Sequence, residues 1–136
     1  GLGPFLSMLR TPQAWTQFLK VVLVHGVRTR EELTYAAEIE AISTAHPTAF
    51  RCVTLVSREA HLGTTHAHHA LPGRITTCIG NGELERLTGC KLDGTSQVML
   101  CGNPQMVIDV IALLESRGLK KHRKRDPGHY TTEAYW

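Results

Sequence analysis

The stretch Val98-Met-Leu-Cys-Gly-Asn-Pro-Gln-Met106, running straight into Val107–Leu114, constrains this chain more than any other. A short apolar run stops at Cys101-Gly102-Asn103, and an amphipathic helical pattern starts at Pro104. Gly102 permits a sharp turn that a side chain would obstruct. Asn103 is a good N-cap, and Pro104 suits the first helical turn, where its missing N–H costs nothing. The expected product is a strand–turn–helix unit with a thiol and free backbone N–H groups at the strand's carboxyl end. In open α/β sheets that edge is where nucleotides and their phosphates bind. An ordinary βα turn has the same pattern.

The flanking segments extend this unit to a fold class. Lys20–His25 reads as a nearly continuous apolar strand and Gly26–Thr29 as a loop, followed by a helix over Arg30–His46 that Pro47 stops. Phe50–Val56 is a second β-rich run, Ala60–Gly73 an irregular histidine-rich loop, and Arg74–Leu87 a helix interrupted at Gly80-Asn81-Gly82. Gln97–Leu100 is the third strand and Pro104–Arg117 its helix, ending at Gly118. Leu119–Trp136 reads as a basic extended segment and an aromatic tail. Strands separated by helices imply a three-layer α/β domain around a parallel sheet. At 136 residues and 42% hydrophobic content, the chain suits one such domain, residues 1–136. Its opening, Gly1-Leu-Gly3-Pro4, enters a helical pattern at once, with Phe5, Leu6, Leu9 and Trp15 spaced for one face. A glycine-rich opening of this kind is normally delivered by a strand, so the first strand is expected to lie before residue 1.

Charge and cysteine usage narrow the function classes. A net charge of +3 suits a phosphate-bearing ligand or an acidic protein partner and falls short of a nucleic-acid-binding composition. Cys52, Cys78, Cys90 and Cys101 show no CxxC spacing and read as reduced thiols of a cytoplasmic protein. No apolar run approaches membrane-spanning length. His61, His66, His68 and His69 lie in a Thr/Ala/Gly loop without the carboxylates of a metal site, so no metal is expected. The basic run Lys120–Arg125, which lacks interleaved aromatics, fits a solvated edge or a docking patch for an acidic protein better than a nucleic-acid site.

Candidate site residues follow from topology. Loops after parallel strands gather on one sheet edge, so Arg28 and Arg58 are expected beside Cys101 and Gly102, with Arg74 beginning a nearby helix. Arginine's planar fork of donors matches phosphate oxygens. Ser57 adds a hydroxyl donor. The aromatic ending, Tyr135-Trp136, suits stacking on a planar ligand or packing on the domain itself, and Glu133 lies close enough to act there as a proton or charge partner.

Three segments together resemble one family: Val98–Met106, the ending Pro127-Gly-His-Tyr-Thr-Thr-Glu-Ala-Tyr-Trp136, and Val53-Thr-Leu-Val-Ser-Arg-Glu59. The chain resembles the C-terminal NADP-binding domain of bacterial ferredoxin–NADP(+) reductases, in the subclass that finishes in Trp. The resemblance spans essentially all of the sequence, and Gly1-Leu-Gly-Pro-Phe5 is similar to the tail of that family's glycine-rich segment. It implies NADP phosphates at Val27 and Arg28 and the adenosine 2′-phosphate at Ser57, Arg58 and Arg74. Cys101 and Gly102 then lie beside the nicotinamide, with Asn103, Pro104, Gln105 and Met106 continuing that site and Gly1, Gly3 and Pro4 near the phosphates. Tyr135 and Trp136 reach over FAD, with Glu133 in the same tail, and Cys101 and Glu133 are the catalytic candidates. Family members exchange hydride with NADP(H) and single electrons with ferredoxin or flavodoxin through FAD. The FAD-binding β-barrel is absent from these residues, so the fragment alone is expected to be inactive. The strand expected before Gly1 belongs at the sheet's centre, and a domain lacking it is expected to be poorly stable or to borrow a strand from a neighbouring copy. The alternative is a non-catalytic nucleotide-binding or interaction module that retains the fold.

Overall fold

The structure, a computed structural model, describes residues 2–32, 35–58 and 71–132. In chain order these form α1 (Gly3–Leu9), α2 (Pro12–Gln17), β1 (Val21–Val27), a 3-10 turn (Arg30–Glu32), α3 (Ala36–Ala45), β2 (Phe50–Val56), β3 (Leu71–Pro72), α4 (Ile75–Gly80), α5 (Glu83–Thr88), β4 (Val98–Leu100), α6 (Pro104–Ser116) and β5 (Tyr130–Thr132). Proline stands in the first turn of α1, α2 and α6, the positions where it removes no helical hydrogen bond.

β1, β2 and β3 form one parallel ladder, in register from Val21↔Phe50 to Val27↔Val56 and from Leu55↔Leu71 to Val56↔Pro72. β4 and β5 form a second parallel ladder, from Val98↔Tyr130 to Leu100↔Thr132. Alternate residues of β1 and β2 feed two separate cores, as the period of an extended chain requires. Val53 and Leu55, with Val22 and Val24 against them, pack with Cys78, Ile79, Leu84, Val110 and Leu114 of α4, α5 and α6. Leu23 and Phe50 pack instead with Leu6 and Leu9 of α1 and Ile42 of α3. Helices therefore cover both faces, giving the three-layer α/β architecture expected. Leu100 and Tyr130 join the first core, so that core ties the two ladders together. Among the described residues no strand pairs with the second edge of β1 or of β4.

Element boundaries differ from the sequence expectation in specific places. The strand expected at Lys20–His25 starts at Val21 and continues through Gly26 to Val27, where the loop was expected to begin. The single helix expected over Arg30–His46 is a 3-10 turn followed by α3, because Tyr35 takes a left-handed conformation (φ 63°) that a continuous helix cannot contain. The interruption expected at Gly80-Asn81-Gly82 is found, and it parts Arg74–Leu87 into two helices: Asn81 caps the end of α4, and Gly82 at φ 80° caps the start of α5. The expected strand Gln97–Leu100 is one residue shorter, and Arg117 caps α6 rather than extending it. The basic segment and tail contain β5, and the end of the histidine-rich loop contains β3.

Candidate functional site

The carboxyl edge of the three-stranded ladder is fastened beyond its strands. Ser57 N–H donates to the Val27 carbonyl at 2.9 Å, Arg58 N–H to the Arg28 carbonyl at 2.9 Å, and Gly73 N–H to the Val56 carbonyl at 3.0 Å. The backbones of Arg28, Ser57, Arg58 and Gly73, with Arg74 next in sequence, therefore stand in a row along one edge. Arg58 and Arg74 are exposed, and among the described residues neither has an ion-pair partner. Arg74 sits in extended conformation before α4 and lines a cavity of about 230 Å³ with Leu55, Pro72, Thr77 and Asn81.

A glycine on β1 sets the distance to α4. A Cβ on Gly26 would stand 2.9 Å from Ile75 Cδ1 and 3.0 Å from Cγ1. Its absence lets Ile75 pack against β1, and Ile75 directly follows Arg74. His25, beside Gly26, is half-buried, and burial lowers its imidazole pKa from the ordinary value.

The turn after β4 has the geometry expected of it. Leu100 is buried, Cys101 is a half-buried free thiol, and Gly102 adopts φ 136°, closed to most side chains. Asn103 Oδ1 accepts from the backbone N–H groups of Gln105 at 2.8 Å and Met106 at 3.3 Å. Pro104 and Gln105 are exposed, and Met106 packs on the first core. At the start of α1, the Tyr35 hydroxyl lies 3.7 Å from where a Cβ on Gly3 would be, and Pro4 follows at the next position.

The described contacts thus join the backbones of Arg28, Arg58 and Arg74 along one ladder, while Cys101–Met106 follow β4 in the other, and among the described residues no strand ladder connects the two groups. Gly1, Glu133, Tyr135, Trp136 and the four loop histidines lie outside the described residues. Among the described residues no cluster of three or more metal-ligating side chains occurs, and no helix is long and apolar enough to cross a membrane.

Sequence reasoning passed over Thr29 and Glu32. Glu32 Oε1 accepts from the Thr29 N–H at 3.2 Å and from Thr29 Oγ1 at 3.4 Å, and faces Arg28 Nε at 3.5 Å. The signal was present: Thr29-Arg-Glu-Glu32 is a T-x-x-E capping pattern placed directly after an arginine of the candidate edge.

Comparison with known proteins bears on the family and the fold. The chain is 37% identical to a flavodoxin/ferredoxin–NADP reductase of Buchnera aphidicola (subsp. Baizongia pistaciae) over 100% of its length and 53% of that protein's. It is 42% identical to the flavodoxin/ferredoxin–NADP reductase of Escherichia coli K12, over 99% of this chain and 53% of the relative. The chain thus spans about half the length of the curated relatives it matches. Among solved structures, a ferredoxin NADP+ reductase from Neisseria gonorrhoeae with bound FAD and NADP superposes with TM-score 0.84 at 34% identity, over 98% of this chain and 51% of that one. Residues 1–111 match the family described as the oxidoreductase NAD-binding domain. Parallel ladders, helices on both faces and a matching family signature over most of the sequence lead to one conclusion: the chain belongs to the oxidoreductase NAD-binding domain family.

Proposed function

We propose that this chain is the NADP(H)-binding domain of a ferredoxin/flavodoxin–NADP(+) reductase, with FAD held mainly by a separate domain of the same enzyme. The observation carrying the reading is the row of Arg28, Ser57/Arg58 and Arg74 along one carboxyl edge of parallel strands. A 2′-phosphate dianion needs convergent cationic donors, and Arg58 and Arg74 are exposed on adjacent strand ends. In this reading Ser57, Arg58 and Arg74 take the 2′-phosphate, while Arg28, with Val27, Gly1, Gly3 and Pro4, faces the remaining phosphates. Cys101, Gly102 and Asn103–Met106 border the nicotinamide, whose contribution when bound is a hydride. Glu133, Tyr135 and Trp136 belong to the flavin side. The names of the relatives support ferredoxin or flavodoxin as the electron partner, and the exposed Lys121, Arg123, Lys124 and Arg125 supply a cationic surface for such an acidic protein. Four free thiols support a cytoplasmic setting. The edges of β1 and β4, unpaired among the described residues, suit one further strand, from elsewhere in the protein or from a neighbouring copy; sedimentation of the purified chain separates these sources.

The test is calorimetric titration of the intact protein with NADP+ and NAD+. NADP+ is expected to bind more tightly, and Arg58→Ala to abolish most of that preference. One charge-assisted hydrogen bond contributes about 1.5–3 kcal/mol, so its loss lowers affinity roughly ten- to a hundredfold. Equal affinities for the two nucleotides remove the 2′-phosphate assignment. Nucleotide binding without NADPH-dependent dye reduction in the flavin-loaded protein favours a non-catalytic module.

A further inference from the structure

Directly past the end of β1, three donors converge on one carboxylate oxygen. The Thr29 backbone N–H, Thr29 Oγ1 and Arg28 Nε stand 3.2, 3.4 and 3.5 Å from Glu32 Oε1. A main-chain N–H, a hydroxyl and a guanidinium form a donor set equally suited to a phosphate oxygen. The Arg28 side chain is 64% exposed and that of Glu32 41%, so an anion from solution reaches both. The carboxylate is therefore an internal anion seated on donors that the proposed ligand requires.

We propose that Glu32 is an affinity-determining residue of this site, a built-in competitor that a nucleotide phosphate must displace from Arg28 and Thr29. The inference rests on the reading that Arg28 faces NADP phosphates. A phosphate approaching Arg28 meets a like charge on Glu32, and gains the Nε–H and the Thr29 donors only after the existing contacts open. Neutralising Glu32 removes the like charge and weakens the hold on Arg28. Gln is the informative replacement, because its amide oxygen still accepts from Thr29 N–H and preserves the capping interaction while removing the charge.

The experiment titrates NADP+ into the intact wild-type, Glu32→Gln, Arg28→Ala and doubly substituted proteins, at low and at near-physiological salt. Glu32→Gln is expected to tighten NADP+ about two- to fivefold at low salt, the range set by an exposed ion pair. The gain shrinks as salt screens the charges, and it vanishes in the Arg28→Ala background. If Arg28→Ala weakens NADP+ binding but Glu32→Gln leaves it unchanged or weakens it, Glu32 orients the arginine or only caps the turn, and the competitor role is overturned. An Arg28→Ala protein that binds NADP+ as wild type does overturns the phosphate reading itself, and the competitor role with it.

Discussion

The backbone N–H of Arg58 donates to the carbonyl oxygen of Arg28 at 2.9 Å, so two arginines distant in sequence are neighbours on one sheet edge. The third, Arg74, precedes a different contact: Ile75 packs against β1 where residue 26 has no Cβ, and a Cβ there would stand 2.9 Å from Ile75 Cδ1. Gly26→Val is expected to displace α4 and carry Arg74 away from the edge. The cost in stability is that of overpacking, about 1–3 kcal/mol. In the proposed nucleotide reading, NADP+ affinity falls several-fold while NAD+ affinity changes little. Adding Ile75→Ala makes room and restores much of the NADP+ preference. Titrations with both nucleotides check this, and a double variant no better than Gly26→Val removes the steric explanation.

Asn103 holds the turn after β4 from its helical side. Its Oδ1 accepts from two N–H groups that would otherwise lack intrahelical partners. Asn103→Ala is expected to lower stability by about 1 kcal/mol, whereas Asn103→Asp retains the cap. Urea denaturation of the three proteins measures the difference. Equal midpoints for Ala and wild type show that this cap contributes nothing.

Much of this architecture is legible in the sequence where a segment's own chemistry decides its structure. Phe50–Val56 has the bounds expected, because its β-rich run stands between turn residues. Asn103-Pro104 marks the start of α6 through capping chemistry alone. The elements that escaped notice depend on distant partners. Leu71–Pro72 is too short to carry a periodic signal and exists as a strand only because β2 lies beside it. Tyr130–Thr132 reads as a tail until β4 is placed next to it. At the candidate site, the backbone alignment of Arg28 with Arg58 follows from strand topology, which the order of the elements makes legible. Glu32's place beside Arg28 follows from the Thr29–Glu32 turn, whose T-x-x-E pattern is written in the sequence but names no partner for the carboxylate beyond the cap.

β5 reaches β4 through a tight crossing at Gly128. A Cβ there would collide with the Lys121 carbonyl and stand 2.7 Å from the Lys120 carbonyl oxygen. These are backbone atoms, themselves fixed by hydrogen bonds from His129 and Tyr130 N–H to the Lys120 carbonyl. Gly128→Ala is therefore expected to cost about 1–3 kcal/mol or more, through loss of the β4–β5 pairing. Hydrogen exchange is the direct measurement: amides of Val98 and His122, which donate to His129 and Tyr130 carbonyls, should lose protection first. Unchanged protection at both amides refutes the crossing's role.

Arg117 joins three elements with one side chain. Its guanidinium donates to the Ile79 carbonyl at 2.8 Å, to Glu85 Oε1 at 2.7 Å and, more distantly, to the Leu92 carbonyl at 3.5 Å. The Glu85 carboxyl is held below its ordinary value near 4.5, first by the Leu92 N–H it accepts from and then by Arg117. A depressed folded pKa means that the ionised form is favoured by folding. Its stabilising contribution is present above the ordinary value and is lost as pH falls through the lower, folded value. Arg117→Met is expected to cost about 1–3 kcal/mol at neutral pH, chiefly by leaving the Ile79 carbonyl without this donor. The gap between wild type and variant should narrow below a pH of about 4.5, as Glu85 protonates and its pairing with Arg117 weakens. It should not close, because the Ile79 bond does not titrate. Urea denaturation of both proteins near neutral pH and in mild acid gives the comparison. A gap independent of pH would mean that Glu85 adds nothing to the clasp, and no gap at neutral pH would mean that Arg117 is a solvated surface charge.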